Sequence, residues 1–206
     1  MYVIPIIILA AGASSRMRGC DKLLEPVDGM PLLRRTALRA MKVAPDGVFV
    51  VLPKQDSDRH KALAGLNVHI THVASPEIGM SESLKAGIAS LPKNASAAMI
   101  LLGDLPDLTV DDLEAVMRSA HATDGQTVWR GATAEGKPGH PIIFARAVFD
   151  DILRLKGDTG AQSLAKHATL VPLEGSRARC DLDTPEDWAR WRSRKAAREG
   201  ASGGDI

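Results

Sequence analysis

The chain has 206 residues, of which 45% are apolar, 25% are charged and only 3% are aromatic, and its formal net charge is +1 at pH 7. These values exclude a disordered chain, which has fewer aliphatic residues and a larger net charge, and a duplex-DNA binder, which shows a basic excess. Because recognition by base stacking needs more aromatic side chains, they also argue against a single-strand nucleic-acid partner, and they predict one globular domain with an aliphatic core.

The cysteines and the amino-terminal residues indicate a cytoplasmic protein. Cys20 and Cys180 have neither CxxC nor zinc-ligand spacing, so we expect two reduced thiols. Residues 2–11 are apolar, but no basic segment precedes them, Pro5 interrupts them, and ten apolar residues are too few to span a membrane. We therefore expect this segment to form a buried parallel strand, and we expect no membrane partner.

The first 124 residues alternate between apolar runs of strand length and amphipathic segments. Such alternation is typical of βαβ units with right-handed crossovers. We therefore predict an α/β fold, with a Rossmann-like three-layer α/β/α arrangement around a mainly parallel sheet. In chain order, the patterns predict a strand within 2–11, a helix at 31–41, a strand at 47–52, a helix at 57–65, a strand at 67–72, a helix at 81–91, a strand at 97–102 and a helix capped by Thr109.

Beyond residue 124 the alternation becomes less regular. No repeat or interdomain linker interrupts the chain, so we predict a single domain over 1–198. Residues 199–206 are rich in glycine and are predicted to form a flexible tail. The patterns predict strands at 126–130, 142–144, 169–173 and 178–182, a helix at 147–155, a loop and a short helix over 157–168, and a last helix that opens at 184–186.

The loop after the first predicted strand carries residue types that bind phosphate. Ligands of parallel α/β sheets bind at the carboxyl ends of the strands. Gly12 and its small neighbours let backbone N–H groups approach an anion, and Arg16, Arg18 and Lys22 can neutralise its charge. The spacing matches neither the Walker A pattern nor GxGxxG. The alternative is an ordinary strand-to-helix turn with exposed basic residues.

Two acidic positions stand beside predicted elements, and the first of them is a candidate metal ligand. Asp104 follows the predicted strand at 97–102, where a carboxylate is well placed to hold Mg²⁺, a cation that prefers oxygen ligands. The alternative is a helix N-cap or a turn aspartate before Pro106. Asp183 precedes the predicted last helix, where either Thr184 or Asp183 can serve as the helix cap.

Six segments, in order, resemble the motifs of MobA-like nucleotidyltransferases, which transfer a nucleotide from a nucleoside triphosphate. Within that family the molybdenum cofactor cytidylyltransferase group is the most similar. The first segment, LAAGASSRMRGCDK at 9–22, resembles the signature LAxGxSxRMGxxK. This first segment departs from the signature by one additional residue, Arg18. A second departure is Leu105, in the segment GDLP at 103–106, because many relatives have Met or Gln at that position. The other segments are GMSESL at 79–84, GDLP at 103–106, GHPIIF at 139–144, GDTGA at 157–161 and DLDTPED at 181–187.

The resemblance implies the fold of nucleotide-diphospho-sugar transferases, with a nucleotide-binding half at about 1–108 and an acceptor-binding half at about 109–198. Arg16, Lys22 and Asp104 match catalytic positions, and Asp104 and Asp183 match positions that bind Mg²⁺. Helix capping remains the alternative role for either Ser81 or Ser83. The positions that match substrate-binding residues are Leu9, Ala10, Ala11, Gly12, Ala13, Ser14, Ser15, Gly79, Ser81, Ser83, Pro106 and His140.

The resemblance also implies a reaction. Relatives with Ala-Ala-Gly at the position of residues 10–12 tend to use CTP, whereas those with Ala-Gly-Gly tend to use GTP. The expectation is therefore transfer of CMP from CTP to the terminal phosphate of molybdenum cofactor, with a transient complex with a molybdenum hydroxylase or its maturation factor. Two alternatives stay open: transfer to a sugar phosphate or another phosphorylated acceptor, and a carrier that binds molybdenum cofactor for a hydroxylase without turnover.

Overall fold

The computed structural model describes residues 4–54, 57–75, 78–156 and 162–202. Strands such as the one at 97–102 are apolar at every position because helices cover both faces of the sheet. In chain order the elements are β1 (Ile6–Leu9), β2 (Pro26–Val27), β3 (Met30–Pro31), α1 (Leu32–Val43), β4 (Val48–Pro53), α2 (Ser57–Leu63), β5 (His69–Val73), α3 (Met80–Ala89), β6 (Ala97–Leu102), α4 (Val110–Ala122), β7 (Val128–Ala132), β8 (Pro138–Ala145), α5 (Phe149–Leu153), β9 (Thr169–Pro172) and α6 (Pro185–Ser202).

Among the described residues, seven strands form one sheet in the order β5-β4-β1-β6-β8-β7-β9. Neighbouring strands are parallel except where they pair with β8, which is antiparallel to both β6 and β7. Side chains of β1 alternate between two cores. Ile6 and Ile8 pack with α1 and α4, whereas Ile7 packs with α3 and α5. The predicted three-layer α/β/α fold with a mainly parallel sheet is confirmed.

The topology brings several chain segments to one edge of the sheet. The parallel strands β1, β4 and β6 end there, at Leu9, Pro53 and Leu102. Because β8 runs in the opposite direction, it begins at the same edge, at Pro138. The loops that follow β1 and β6 and the first residues of β8 therefore lie side by side, where ligands of such sheets bind.

Two short regions differ from the predicted elements. The hairpin of β2 and β3 has no predicted counterpart. It turns at Asp28 and Gly29, which both have positive φ, and an Asp-Gly pair favours such a turn. The predicted strand at 178–182 is wrong, because a 3-10 turn covers Arg177–Arg179 instead. Ala178 is buried against β8, so its apolar character serves packing onto the sheet rather than pairing within it.

The region between β8 and β9 is also less regular than predicted. The helix expected at 147–155 is a 3-10 turn at Arg146–Val148 followed by the short α5. The described residues of the next connection, from residue 162 onward, form turns rather than the expected short helix. Residues 157–161, which carry the GDTGA segment, lie outside the described residues.

The last helix, α6, begins where the sequence predicts. Thr184 is its N-cap: the Thr184 hydroxyl accepts a hydrogen bond from the Asp187 N–H at 3.2 Å, and the Asp187 carboxylate accepts one from the Thr184 N–H at 3.0 Å. Trp188 is buried in a small core with Met17 and Leu32. This core holds α6 beside the loop that follows β1.

The helix α6 continues through residues 199–202, the first half of the predicted tail, and residues 203–206 lie outside the described ones. The flexible tail, the single domain over 1–198 and its two halves stay predictions. In the described part of the chain, no helix combines the length and the apolar character needed to cross a membrane.

Gly139→Ala is expected to destabilise the start of β8. A Cβ at residue 139 would lie 2.1 Å from the carbonyl oxygen of Ala178, so the strand and the turn would have to move apart. We expect the free energy of unfolding, measured by urea denaturation, to fall by about 1–3 kcal/mol. Gly12→Ala is the control because its added Cβ would have no described residue within 4 Å apart from its two chain neighbours. Equal stability of the two variants would contradict the prediction.

Candidate functional site

A cleft of about 510 Å³ opens at the edge of the sheet where β1 and β4 end. Five predicted substrate-binding residues, at 11–15, lie together along it. Its lining comes from the loop after β1, from the end of β4 and from α2. The lining residues are Ala11, Gly12, Ala13, Ser14, Ser15, Gly19, Cys20, Asp21, Pro53 and Arg59.

The loop at 11–15 has backbone donors without backbone partners. The Ala10 N–H donates to the Val51 carbonyl at 3.0 Å, and the Met17 N–H donates to the Ser14 carbonyl at 2.9 Å. Between these two bonds, the N–H groups of residues 11–15 make no backbone hydrogen bond to any described residue. A loop of small residues with such donors is suited to an anion with several oxygens, such as a triphosphate.

Beside this loop, two carboxylates converge on one ammonium group. The Nζ of Lys22 lies 2.5 Å from Oδ2 of Asp104 and 2.7 Å from Oδ1 of Asp183. The Nη1 of Arg16 lies 2.9 Å from Oδ2 of Asp183. The side chain of Arg16 is 70% exposed, whereas those of Lys22, Asp104 and Asp183 are 16%, 14% and 21% exposed. The structure thus brings together all the predicted catalytic residues and both predicted metal ligands.

The charges of this cluster are set by mutual contact. Burial lowers the pKa of Lys22, but the Asp104 and Asp183 carboxylates outweigh that effect and raise the pKa above its usual value. Lys22 is therefore a cation at neutral pH. Because Thr184 caps α6, the carboxylate of Asp183 is directed to the cluster instead. The alternative explanation of Asp183 as the helix cap is wrong.

Asp104 and Asp183 offer the oxygen donors that Mg²⁺ takes from proteins. The Oδ1 atom of Asp104 is buried and has no hydrogen-bond partner within the described ranges, although buried polar atoms are nearly always paired. No group of three or more acidic, histidine or cysteine side chains with metal-binding geometry occurs among the described residues. Mg²⁺ often uses one or two carboxylates and completes its shell with water and phosphate oxygens. The two aspartates therefore fit a divalent cation that binds together with a nucleotide.

His140 lies in β8, close enough to the cluster for the charge of Asp104 to affect its pKa. Burial and the positive charge of Arg130 lower the pKa of His140 to about 4, against the opposing effects of Asp104 and of a hydrogen bond with the Ile100 backbone. Its Nδ1 atom is buried without a hydrogen-bond partner in the described structure. The imidazole is therefore neutral at pH 7. It can orient a substrate by hydrogen bonding, but it cannot neutralise a phosphate.

Several other predicted substrate-binding residues do not line the cleft. Leu9 and Ala10 belong to the end of β1 and lead into the loop. Ser81 and Ser83 are buried in α3, whose N-cap is Gly79. Neither serine is the N-cap residue of that helix, and a role for either in substrate binding stays a prediction.

Pro106 lies on a separate, smaller cleft of about 150 Å³. Its carbonyl accepts hydrogen bonds from Nη1 of Arg35 at 2.8 Å and from Nη1 of Arg39 at 2.9 Å. The neighbouring Asp107 carboxylate accepts a hydrogen bond from Nε1 of Trp191 at 2.7 Å. These contacts anchor the loop that carries Asp104 to α1 and α6, and they place Pro106 away from the cleft that follows β1.

Asp21 and Arg59 are site residues that the sequence patterns did not single out. Both line the larger cleft, and their side chains pair directly, with Nε of Arg59 2.7 Å from Oδ2 of Asp21. Arg59 stands in the first turn of α2, which follows β4 at the same edge of the sheet. The sequence offered one signal for Arg59, its position after a predicted strand. Its other partners include backbone carbonyls, which leave no pattern of side chains in the sequence.

Comparison with known proteins places the chain in a family. The sequence model of the MobA-like NTP transferase domain matches residues 6–172. The purine catabolism protein PucB of Bacillus subtilis (strain 168) is 29% identical over 201 residues, which cover 88% of this chain and 92% of that protein.

Solved structures share the fold along nearly the whole chain. Rv0371c of Mycobacterium tuberculosis H37Rv has a TM-score of 0.78 at 27% identity, with 92% of this chain and 98% of that chain covered. A structure of the same protein in complex with manganese has a TM-score of 0.73 at 27% identity, with 92% and 97% covered. CMP:2-keto-3-deoxy-manno-octonic acid synthetase complexed with CTP shares the fold, with a TM-score of 0.71 at 18% identity and 96% and 100% covered.

Proposed function

We propose that this chain, which belongs to the MobA-like NTP transferase domain family and is a nucleotidyltransferase, transfers CMP from CTP to the terminal phosphate of molybdenum cofactor. One observation carries the proposal. Arg16, Lys22, Asp104 and Asp183 meet at one point beside a loop whose N–H groups have no backbone partner among the described residues. Nucleotidyl transfer needs positioned cations and a metal bound by carboxylates. A carrier without turnover would not need the paired carboxylates.

In the proposed reaction, an oxygen of the acceptor's phosphomonoester attacks the α-phosphorus of CTP. The bond from that phosphorus to the oxygen that bridges to the β-phosphate breaks, and pyrophosphate leaves. Because a phosphomonoester is largely ionised at neutral pH, the attacking oxygen needs no general base. The N–H groups at 11–15 hold the phosphates, and Arg16 and Lys22 stabilise the charge that builds up during transfer. Mg²⁺, held by Asp104 and Asp183, would neutralise the phosphate oxygens.

Ala11 supports the assignment of CTP. It lines the cleft directly after β1, at the position where the Ala-Gly-Gly relatives have glycine. A methyl group there narrows the space beside the loop, which favours a pyrimidine over the larger purine. CTP is also the nucleotide in the structure of CMP:2-keto-3-deoxy-manno-octonic acid synthetase, which has the same fold.

The sheet order supports an acceptor that approaches from the side of β8. β6 lies between β1 and β8, so Asp104, after β6, stands between the loop at 11–15 and His140 in β8. A triphosphate on the β1 side and an acceptor phosphate on the β8 side would meet at the carboxylates. The neutral His140 suits an orienting hydrogen bond to the acceptor. The complex with a molybdenum hydroxylase or its maturation factor follows from this acceptor and is part of the proposal.

Pyrophosphate release from each of the four nucleoside triphosphates, with and without molybdenum cofactor, tests the proposal. We expect release to require both CTP and the cofactor, with GTP slower by at least about tenfold. Ala11→Gly should raise the rate with GTP relative to CTP. Equal rates with GTP in the wild type would contradict the base assignment.

Two further outcomes would contradict the acceptor assignment. Release with a sugar phosphate, but not with molybdenum cofactor, would support a different phosphorylated acceptor. Tight binding of the cofactor without any pyrophosphate release would support a carrier.

A further inference from the structure

Arg59 is a charged side chain buried beneath the loop that borders the larger cleft. Only 4% of its side chain is exposed. Burying a guanidinium is costly unless its N–H groups find partners. Four of its partners, at Ala10, Gly12, Ser14 and Asp21, belong to the segment that follows β1.

The guanidinium ties both ends of this segment together. Where the chain leaves β1, Nη1 donates to the Ala10 carbonyl at 2.6 Å and Nη2 donates to the Gly12 carbonyl at 2.8 Å. Where the chain returns, Nε and Nη2 form a bidentate pair with the Asp21 carboxylate at 2.7 and 2.9 Å. Only arginine can form this pair, because its planar guanidinium presents two parallel N–H donors to a carboxylate and the ammonium of lysine does not.

Arg59 and Asp21 form a clamp on this segment, and the hydrogen bonds of Ser14 extend the clamp to the backbone of Lys22. The Ser14 hydroxyl donates to Oδ1 of Asp21 at 3.0 Å and accepts from the Lys22 N–H at 3.3 Å. Although burial raises the pKa of Asp21, the hydrogen bonds and charge of Arg59 together with those of its other donors hold that pKa below its usual value. The carboxylate therefore stays ionised at neutral pH, and the pair with Arg59 persists.

The same bonds decide what the loop presents to the cleft. Arg59 occupies the carbonyl oxygens of Ala10 and Gly12, while the N–H groups at 11–15 keep no backbone partner in the described structure. An anion site works best when its donors are in place before the ligand arrives, because the ligand then spends no binding free energy on ordering them.

We propose that Arg59 is a positioning residue that holds the loop at 11–15 in the form that binds the triphosphate. Arg59 acts through the backbone of the loop and through Asp21, not by contact with the reacting atoms. The inference rests on the triphosphate site of the proposed function, but it depends on neither the base nor the acceptor.

Arg59→Lys tests the inference, with Arg34→Lys as the matched control. Arg34 also donates to two carbonyls, those of Ala62 and Ala64, both at 3.0 Å, and neither carbonyl belongs to the loop. Both variants keep the positive charge, and Arg59→Lys also loses the bidentate pair with Asp21. We expect Arg59→Lys to weaken CTP binding by about tenfold or more, measured by calorimetry, while Arg34→Lys binds as the wild type does.

The kinetic constants separate positioning from a general loss of structure. For Arg59→Lys we expect KM for CTP to rise with the dissociation constant, while kcat at saturating CTP falls by less than about threefold. Heat denaturation should show that both variants are folded at the temperature of the binding measurement. Unchanged CTP affinity in a folded Arg59→Lys would overturn the inference and leave the proposed function standing.

Two further measurements keep the outcomes apart. If Arg59→Lys does not fold, Asp21→Asn replaces it, because this variant weakens the same clamp from the other side at equal side-chain size. Weaker CTP binding in Asp21→Asn supports the inference, and wild-type binding overturns it. If the wild type itself binds neither CTP nor GTP, the proposed function fails.

Discussion

Asp104→Asn is expected to fold normally but to lose nearly all nucleotidyl transfer, with kcat lower by about 10²–10³-fold. The amide keeps the size of the carboxylate, and Lys22 keeps Asp183 as a partner at 2.7 Å. What is lost is a negative charge at the metal position, and Mg²⁺ depends on charged oxygen ligands. The measurement is kcat at saturating CTP and metal, accompanied by urea unfolding to confirm that the variant folds.

Asp107→Asn is the matched control for this prediction, because it lies three residues further along the same loop. The carboxylate of Asp107 contacts Nε1 of Trp191 at 2.7 Å rather than the ammonium of Lys22. We expect its kcat to stay within about threefold of the wild type. Binding of Mn²⁺ with CTP, followed by electron paramagnetic resonance, should weaken only in Asp104→Asn. Near-normal turnover in Asp104→Asn would contradict the role of Asp104 as a metal ligand.

The predictable part of the fold is the part with local signals. Ile6, Ile7 and Ile8 are all apolar because a central strand of this sheet faces helices on both sides. Once such strands are placed, the rule that ligands bind at their carboxyl ends points to the loop after β1 and to Asp104. The metal role of Asp183 came from resemblance, because contacts between residues as far apart in the chain as Lys22 and Asp183 leave no local pattern.

The parts that the sequence could not predict depend on tertiary contacts. Arg59 binds backbone carbonyls, which every residue type has, so no pattern of side chains marks the contact. The pKa of His140 is low because packing buries the imidazole. Ala178 looks like a strand residue because it is apolar, but it faces β8 from a 3-10 turn. Whether Asp183 caps α6 or belongs to the charged cluster depends on the hydrogen bond between Thr184 and Asp187, which the sequence does not show.

Lys22→Met is expected to abolish most activity, lowering kcat/KM by about 10³-fold, and also to destabilise the protein. Its ammonium lies within 2.7 Å of both carboxylates, which lose their shared cation in the variant. Breaking a fully buried ion pair costs about 3–5 kcal/mol, and the partial exposure of this cluster lowers the expected loss to about 1–3 kcal/mol. Lys85→Met, which breaks a 2.7 Å pair with Glu82 in α3, is the control. Its activity should stay near that of the wild type.

The pH dependence of this stability loss separates charge from packing. Because the carboxylates raise the pKa of Lys22 in the folded state, its charge stabilises the fold fully below the unfolded value of about 10.5. That contribution disappears as the pH rises through the higher folded value. The difference in free energy of unfolding between wild type and Lys22→Met should therefore be constant from about pH 7 to pH 10 and shrink above that range. A difference that does not shrink would show that packing, not charge, is lost.

Metal binding to Lys22→Met then shows whether the ammonium and a divalent cation compete for the same oxygens. Nζ of Lys22 contacts Oδ2 of Asp104 and Oδ1 of Asp183, so a divalent cation that used these two oxygens would compete with the ammonium for them. We expect Lys22→Met to bind Mn²⁺ about tenfold more tightly in the absence of nucleotide, while its affinity for CTP falls. Lys85→Met should change neither affinity. If both affinities fell together in Lys22→Met, Lys22 would be holding the carboxylates in place for the metal rather than competing with it.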